Sequence, residues 1–174
     1  VAVFERAASR FHDRTARVVA ELNERTRCHV TVYDYEDAVM QQQIAESCLL
    51  INATNVGMAP NTDACIIPDA SWLTKRARVA CGEAQTSDAP AAQGETPTAD
   101  TTAAQEKVQT VAPLVVADVI YNPRKTKLLE MAEACGLKSF NGINMLLYQG
   151  AAAFELWTGE KMPTEKIKAK FFSE

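Results

Sequence analysis

With 174 residues, 47% of them hydrophobic and 23% charged, the chain has the length and composition of an ordinary globular domain with a core of its own. A formal net charge of −4 provides no electrostatic footprint for nucleic acid or an anionic membrane surface. No apolar run approaches the ~20 residues that cross a bilayer, no signal peptide is visible, and the five scattered cysteines form no C-x-x-C pair. Reduced thiols of a cytoplasmic protein account for such cysteines better than disulfides or a metal site, so no metal is expected.

The chain opens on Val1, directly in a short run to Phe4 that reads as a buried strand and stops at Glu5-Arg6, and this start points to a fragment of a longer protein. Between Ser9 and Glu24, the spacing of Phe11, Thr15, Val18, Val19 and Leu22 predicts an amphipathic helix with Ser9 as N-cap. Cys28 to Tyr33 is β-rich, Glu36 to Glu46 is helical, and Cys48 to Ile51 is the next buried strand, ending at Asn52-Ala53-Thr54. Strand, helix, strand, helix, strand in close succession predicts parallel βαβ units.

Pro60 to Leu73 reads as loop with one helical turn. The stretch 82–112 is low in complexity, rich in Ala, Thr, Gln and Pro, and carries hardly a large apolar side chain. Such a segment does not offset its ordering entropy, so a disordered insertion is expected there. The ordered parts on either side are 1–81 and 113–174. Pro113 to Ile120 is a β-branched strand halted by Tyr121-Asn122-Pro123. Thr126 to Cys135 is a helix with Leu128, Leu129, Met131 and Ala132 inward and Gly136 beyond its end. Lys138 to Phe140 is a last strand, and Ile143 to Trp157 a long apolar helix ended by Gly159, with Met145, Leu146 and Leu147 as core residues. Pro163 to Phe172 is a final helix whose Lys166, Lys168 and Lys170, with Lys161 just before it, read as a solvated face. The fold class is therefore α/β, a Rossmann-like parallel sheet flanked by helices.

Three blocks stand out: Leu50-Ile51-Asn52-Ala53-Thr54-Asn55-Val56-Gly57-Met58, Val119-Ile120-Tyr121-Asn122-Pro123, and Asn141 to Gly150. Each sets polar groups or a glycine at a strand end, where open α/β sheets bind ligands. Taken singly, each is equally a capped turn or a strand stop. Their order resembles the nucleotide-binding domain of the shikimate dehydrogenase family, over essentially the whole chain outside the insertion. Thr126-Lys127-Leu128-Leu129 and Tyr148-Gln149-Gly150 are closer to its quinate/shikimate branch.

That resemblance implies an NAD- or NADP-dependent oxidation of shikimate to 3-dehydroshikimate, or the corresponding quinate chemistry, in the chorismate pathway or quinate metabolism. It places Glu5, Arg6 and Arg10 at the adenosine ribose, and Asn52, Thr54 and Asn55 along the dinucleotide. Val119 and the Gly142 carbonyl fall at the nicotinamide, and Tyr121 and Gln149 at the substrate. An acid after the strand favours ribose hydroxyls and an Arg favours a 2′-phosphate. Family members that use NADP carry Asn-Arg at the pair matching Glu5-Arg6, so Glu5 leans toward NAD while the arginines keep NADP open.

The family's catalytic Lys-Asp pair belongs to an upstream domain, so no catalytic residue is expected in this chain. No Gly-x-Gly-x-x-Gly occurs either. In the 3-2-1-4-5-6 order the absent first strand would lie mid-sheet, and its loss leaves buried ladder groups unpaired at roughly 1–3 kcal/mol each. An unstable, inactive fragment on its own is the expectation. A small-molecule substrate is the expected partner, with neither nucleic acid nor membrane, and a homodimer of the full-length protein. Two other readings compete. One is a non-catalytic nucleotide-binding or interaction module derived from that family. The other is a related dehydrogenase such as a methylene-tetrahydrofolate enzyme, against which Tyr121-Asn122-Pro123 and Gln149 argue.

Overall fold

In a computed structural model of the chain, residues 1–6, 8–74 and 113–172 are described. The stretch read as a disordered insertion, 82–112, lies outside them, as do residues 75–81. In chain order the strands are β1 Ala2–Phe4, β2 Thr31–Tyr33, β3 Leu49–Asn52, β4 Val115–Asp118 and β5 Lys138–Phe140. The helices are α1 His12–Arg25, α2 Asp37–Glu46, α3 Ser71–Thr74, α4 Lys127–Ala134, α5 Ile143–Thr158 and α6 Thr164–Ile167, the last running into a π-helical turn at Lys168–Phe172. All belong to one compact unit.

Every strand pair is parallel, but the sheet is split into β1-β2 and β3-β4-β5. This is the arrangement a 3-2-1-4-5-6 order leaves when its central strand is taken out. The register Leu50↔Val116↔Ser139 and Asn52↔Asp118 defines one face of the larger sheet. Against that face Met40 and Ile44 of α2, Leu73 of α3, and Leu128, Leu129 and Ala132 of α4 form the core with Val116. Among the described strands β4 alone has neighbours on both edges, and its last three residues are buried.

Several expectations are corrected by this burial. The first and third strands are not buried: β1 is only half-covered, and Leu49 and Ile51 of β3 stand 45% and 51% exposed. Helix α1 starts at His12, not Ser9; Ser9 Oγ accepts the Phe11 N–H in a turn before it. Its apolar stripe is only partly covered: Thr15 and Val19 are half-buried, while Phe11, Val18 and Leu22 are exposed and α1 fully buries no residue. Helix α5 buries Leu147 but leaves Met145 exposed, and Met131 of α4 packs at the edge of the core, half-buried. Periodicity identifies which residues share a face; whether another layer lies on that face is decided elsewhere in the chain. The helix ends follow expectation, with Gly136 and Gly159 at φ +70° and +74°. Lys161, Lys166, Lys168 and Lys170 are all exposed.

Core and surface positions should therefore respond differently. Leu128→Ala, at 2% exposure, should cost about 2–5 kcal/mol, whereas Leu156→Ala, at 83% exposure, should stay within about 0.5 kcal/mol. Urea denaturation of the two variants against the parent chain checks this.

Candidate functional site

The C-terminal ends of β3, β4 and β5 lie side by side, and the loops that leave them bring the three sequence blocks together. At the centre is Asp118, the last residue of β4 and only 2% exposed. Its carboxylate accepts Thr126 Oγ1 at 2.7 Å, the Ile120 N–H at 3.0 Å, and Asn52 Nδ2 at 3.2 Å to each oxygen. Sequence reasoning passed over Asp118 and gave Thr126 a helix start and a place in a branch-marking block, but no contact with Asp118. The available signal was an acid ending a β-branched run, eight residues before a Thr that opens a helix.

Asn52 is 1% exposed and its amide is fully used. Nδ2 donates to Asp118 and to the Val56 carbonyl at 3.0 Å, while Oδ1 accepts the Thr54 N–H at 3.1 Å and Thr54 Oγ1 at 2.7 Å. Two donors and two lone pairs are thereby spent, which leaves Asn52 to shape the loop and not to touch a ligand. Thr54 Oγ1 also accepts the Val56 N–H, and Asn55 is left exposed at the loop tip. Gly57 follows at φ +96°, a conformation that L side chains rarely adopt.

Val119 continues the ladder, its N–H donating to the Asn52 carbonyl at 3.0 Å. Gly142 packs onto it: a Cβ at Gly142 would lie 1.9 Å from the Val119 carbonyl oxygen. Only glycine permits this approach, which joins the β4 end to the start of α5. The Gly142 carbonyl already accepts the Leu146 N–H at 2.9 Å, so a ligand would share it through the second lone pair. Asn141 braces the same corner, donating to the Arg124 carbonyl and accepting the Ile143 N–H. Tyr121 and Gln149 are both exposed.

Glu5, Arg6 and Arg10 follow β1 in the other sheet. The Glu5 N–H extends the β1-β2 ladder to the Tyr33 carbonyl at 3.0 Å. Hydrogen bonding from Ser9, then from Thr15, holds its carboxyl below the ordinary carboxylate range, with His12 adding to this and desolvation opposing it. Its second oxygen, Oε2, is buried with no hydrogen-bond partner among the described residues. Arg6 is exposed, and the Arg10 guanidinium sits 4.7 Å above the Phe11 ring. Among the described residues no group of three His, Cys, Asp or Glu side chains is placed to hold a metal ion, and no helix is long and apolar enough to cross a membrane.

Comparison with known proteins adds four findings. Residues 142–170 match a family model described as the shikimate 5′-dehydrogenase C-terminal domain. The chain is 32% identical over 173 residues to the shikimate dehydrogenase (NADP(+)) of Listeria innocua, covering 99% of this chain and 46% of that protein. It is 33% identical to the shikimate dehydrogenase (NADP(+)) of Streptococcus pneumoniae over 168 residues, 96% of this chain and 45% of the relative. The crystal structure of shikimate 5-dehydrogenase from Listeria monocytogenes in complex with shikimate and NAD superposes with a TM-score of 0.67 at 31% identity, over 97% of this chain and 45% of that one. The chain thus spans about half the length of the curated relatives it matches.

Removing the central carboxylate would strand three buried donors. Asp118→Ala should cost about 3 kcal/mol or more and raise hydrogen exchange at the Thr54 and Val56 amides, which Asn52 and its loop order. Denaturant titration with amide exchange by NMR checks both.

Proposed function

The chain belongs to the shikimate dehydrogenase family, matching its C-terminal portion, and on that premise we propose that it is the cofactor-side part of an NAD(P)-dependent dehydrogenase acting on shikimate or quinate. The convergence of the Asn52–Asn55 loop, Val119–Tyr121 and Gly142 at three adjacent strand ends carries this reading. Parallel sheets bind nucleotides at that edge because backbone and short polar side chains are presented there without intervening bulk.

The residues present fit a dinucleotide at its two ends. At the adenosine end, the unpartnered Glu5 Oε2 is an acceptor that a ribose hydroxyl would satisfy. Arg6, exposed beside it, is the group that would receive a 2′-phosphate. Toward the nicotinamide end, Val119 offers an apolar side chain and Gly142 a backbone carbonyl, held together by their mutual contact. The chain has no Gly-x-Gly-x-x-Gly, so the pyrophosphate contacts come from elsewhere in the parent protein.

When bound, the nicotinamide supplies the hydride acceptor or donor. The work of this chain is then orientation. The Asp118–Asn52–Thr126 node fixes the loops after β3 and β4 against each other. Tyr121 and Gln149, both exposed, are the hydroxyl and amide that would hold substrate hydroxyls in line with the cofactor. The proton that leaves the oxidised hydroxyl passes to the Lys-Asp pair that the family carries upstream.

The test is a paired assay on the parent protein, with shikimate and quinate each run against NAD and NADP. Turnover of either acid supports the reading, and a preference for NAD assigns the ribose end to Glu5, whereas turnover only with NADP assigns it to Arg6. No turnover in a folded protein would favour a non-catalytic binding module. In the same protein Gln149→Ala should raise KM for the acid by about tenfold, the loss of one neutral hydrogen bond, while KM for the cofactor moves less than twofold. Equal change in both, or in neither, would remove Gln149 from the substrate site.

A further inference from the structure

Thr126 stands at the N-cap position of α4, where a threonine ordinarily accepts an N–H of the first helical turn on its side-chain oxygen. No such bond forms here. The hydroxyl is instead donated backwards along the chain, to Asp118 Oδ2 at 2.7 Å, and Thr126 is only 1% exposed. A short bond from a buried hydroxyl to a carboxylate is of the stronger, charge-assisted kind. What it ties down is the stretch between the two residues, 119–125, and not the first turn of the helix.

Asp118 gives one oxygen to each limb of that stretch. Oδ1 accepts the Ile120 N–H at 3.0 Å on the outgoing limb, and Oδ2 accepts Thr126 on the returning one. Both limbs rest on the same glycine, since a Cβ at Gly57 would lie 3.7 Å from Thr126 Cβ and 3.8 Å from Ile120 Cδ1. The Ile120 carbonyl accepts the Gly142 N–H at 3.0 Å, which links the outgoing limb to the start of α5. On the returning limb Asn141 Nδ2 reaches the Arg124 carbonyl at 2.8 Å at the exposed surface, and Thr126 supplies the buried bond beneath it. Between the limbs the chain stands out into solvent, with Tyr121, Asn122, Arg124 and Lys125 exposed.

We propose that Thr126 is a positioning residue for the substrate: through Asp118 it fixes the returning limb of 119–125 and so holds the Tyr121 hydroxyl where the acid binds. The inference rests on the functional reading above, which sets Tyr121 against the substrate, and adds to it a residue that touches neither substrate nor cofactor. Losing the Thr126 hydroxyl frees one limb, so the exposed tip gains a range of positions and fewer of them meet the acid. The nicotinamide side is less affected, because Val119 keeps its ladder bond to the Asn52 carbonyl and the close approach of Gly142.

The test uses the parent protein with Thr126→Val, Thr126→Ser and Tyr121→Phe singly, and with Thr126→Val added to Tyr121→Phe. Thr126→Val should raise KM for the acid that is turned over, shikimate or quinate, by about tenfold, while KM for the cofactor moves less than twofold. Amide exchange at Ile120 and Gly142 should quicken by about tenfold in the same variant. Thr126→Ser keeps the hydroxyl and should recover most of both effects. With Tyr121→Phe already present, Thr126→Val should add less than a further twofold to KM for the acid, since both act through one phenol hydroxyl. A residue that merely stabilised the fold would lower the unfolding midpoint and leave the KM split and the non-additivity absent. Thr126→Ala takes the place of Thr126→Val if that variant does not fold. The proposal is overturned by an unchanged KM for the acid, by Thr126→Ser behaving as Thr126→Val does, or by a full second tenfold rise in the Tyr121→Phe background. Turnover of neither acid by the unsubstituted parent would bring down the functional reading and this role with it, so the two failures are told apart.

Discussion

The loops at the C-terminal edge of the β3-β4-β5 sheet depend on one buried carboxylate. Asp118 sits under the ends of β3 and β4 and accepts bonds from a side-chain amide, a hydroxyl and a backbone N–H. A carboxylate out of water is tolerated only when its lone pairs are met, and each unmet partner would cost on the order of 1–3 kcal/mol. The network is therefore close to all-or-none. Through Asn52 it sets the turn at Thr54 and Val56, and through Thr126 it sets where α4 begins. One strand terminus thus fixes two loops and a helix start.

The same region holds the core, for a geometric reason. β4 is flanked on both edges and packed on both faces, so its neighbours inherit cover from it. Burial falls off away from β4 toward β1. The β1-β2 pair stacks Phe4 on Tyr33 at 5.4 Å between centroids, yet α1, which connects the two strands, buries nothing. The half-molecule around β3, β4 and α4 carries the packing, while the half around β1 and β2 is a ladder with little beneath it.

These two features bear on function in different ways. The Asp118 node and the Gly142–Val119 contact tie the loops after β3 and β4 to the start of α5 through buried bonds and close packing. The residues that follow β1 are held less firmly: Glu5 keeps one oxygen unspent, and Arg10 rests on an exposed ring.

What was legible in the sequence follows from local rules. The β-branched runs, the helix-closing glycines at 136 and 159, and the strand-helix alternation depend on a few neighbouring residues, and the five strands and their helices lie within a few residues of where those rules put them. The order of three short blocks sufficed to indicate the family. What the tertiary structure alone decided concerns residues far apart in the chain. Asn52 and Asp118 are 66 positions apart, and only the β3-β4 register reveals that Asn52 spends its amide on Asp118 and the loop and has none left for a ligand. The stripe on α1 and Met145 of α5 looked like core, as Leu147 is, because periodicity reports which residues share a face; whether a second layer covers that face is a property of the whole fold, and for α1 it covers only part.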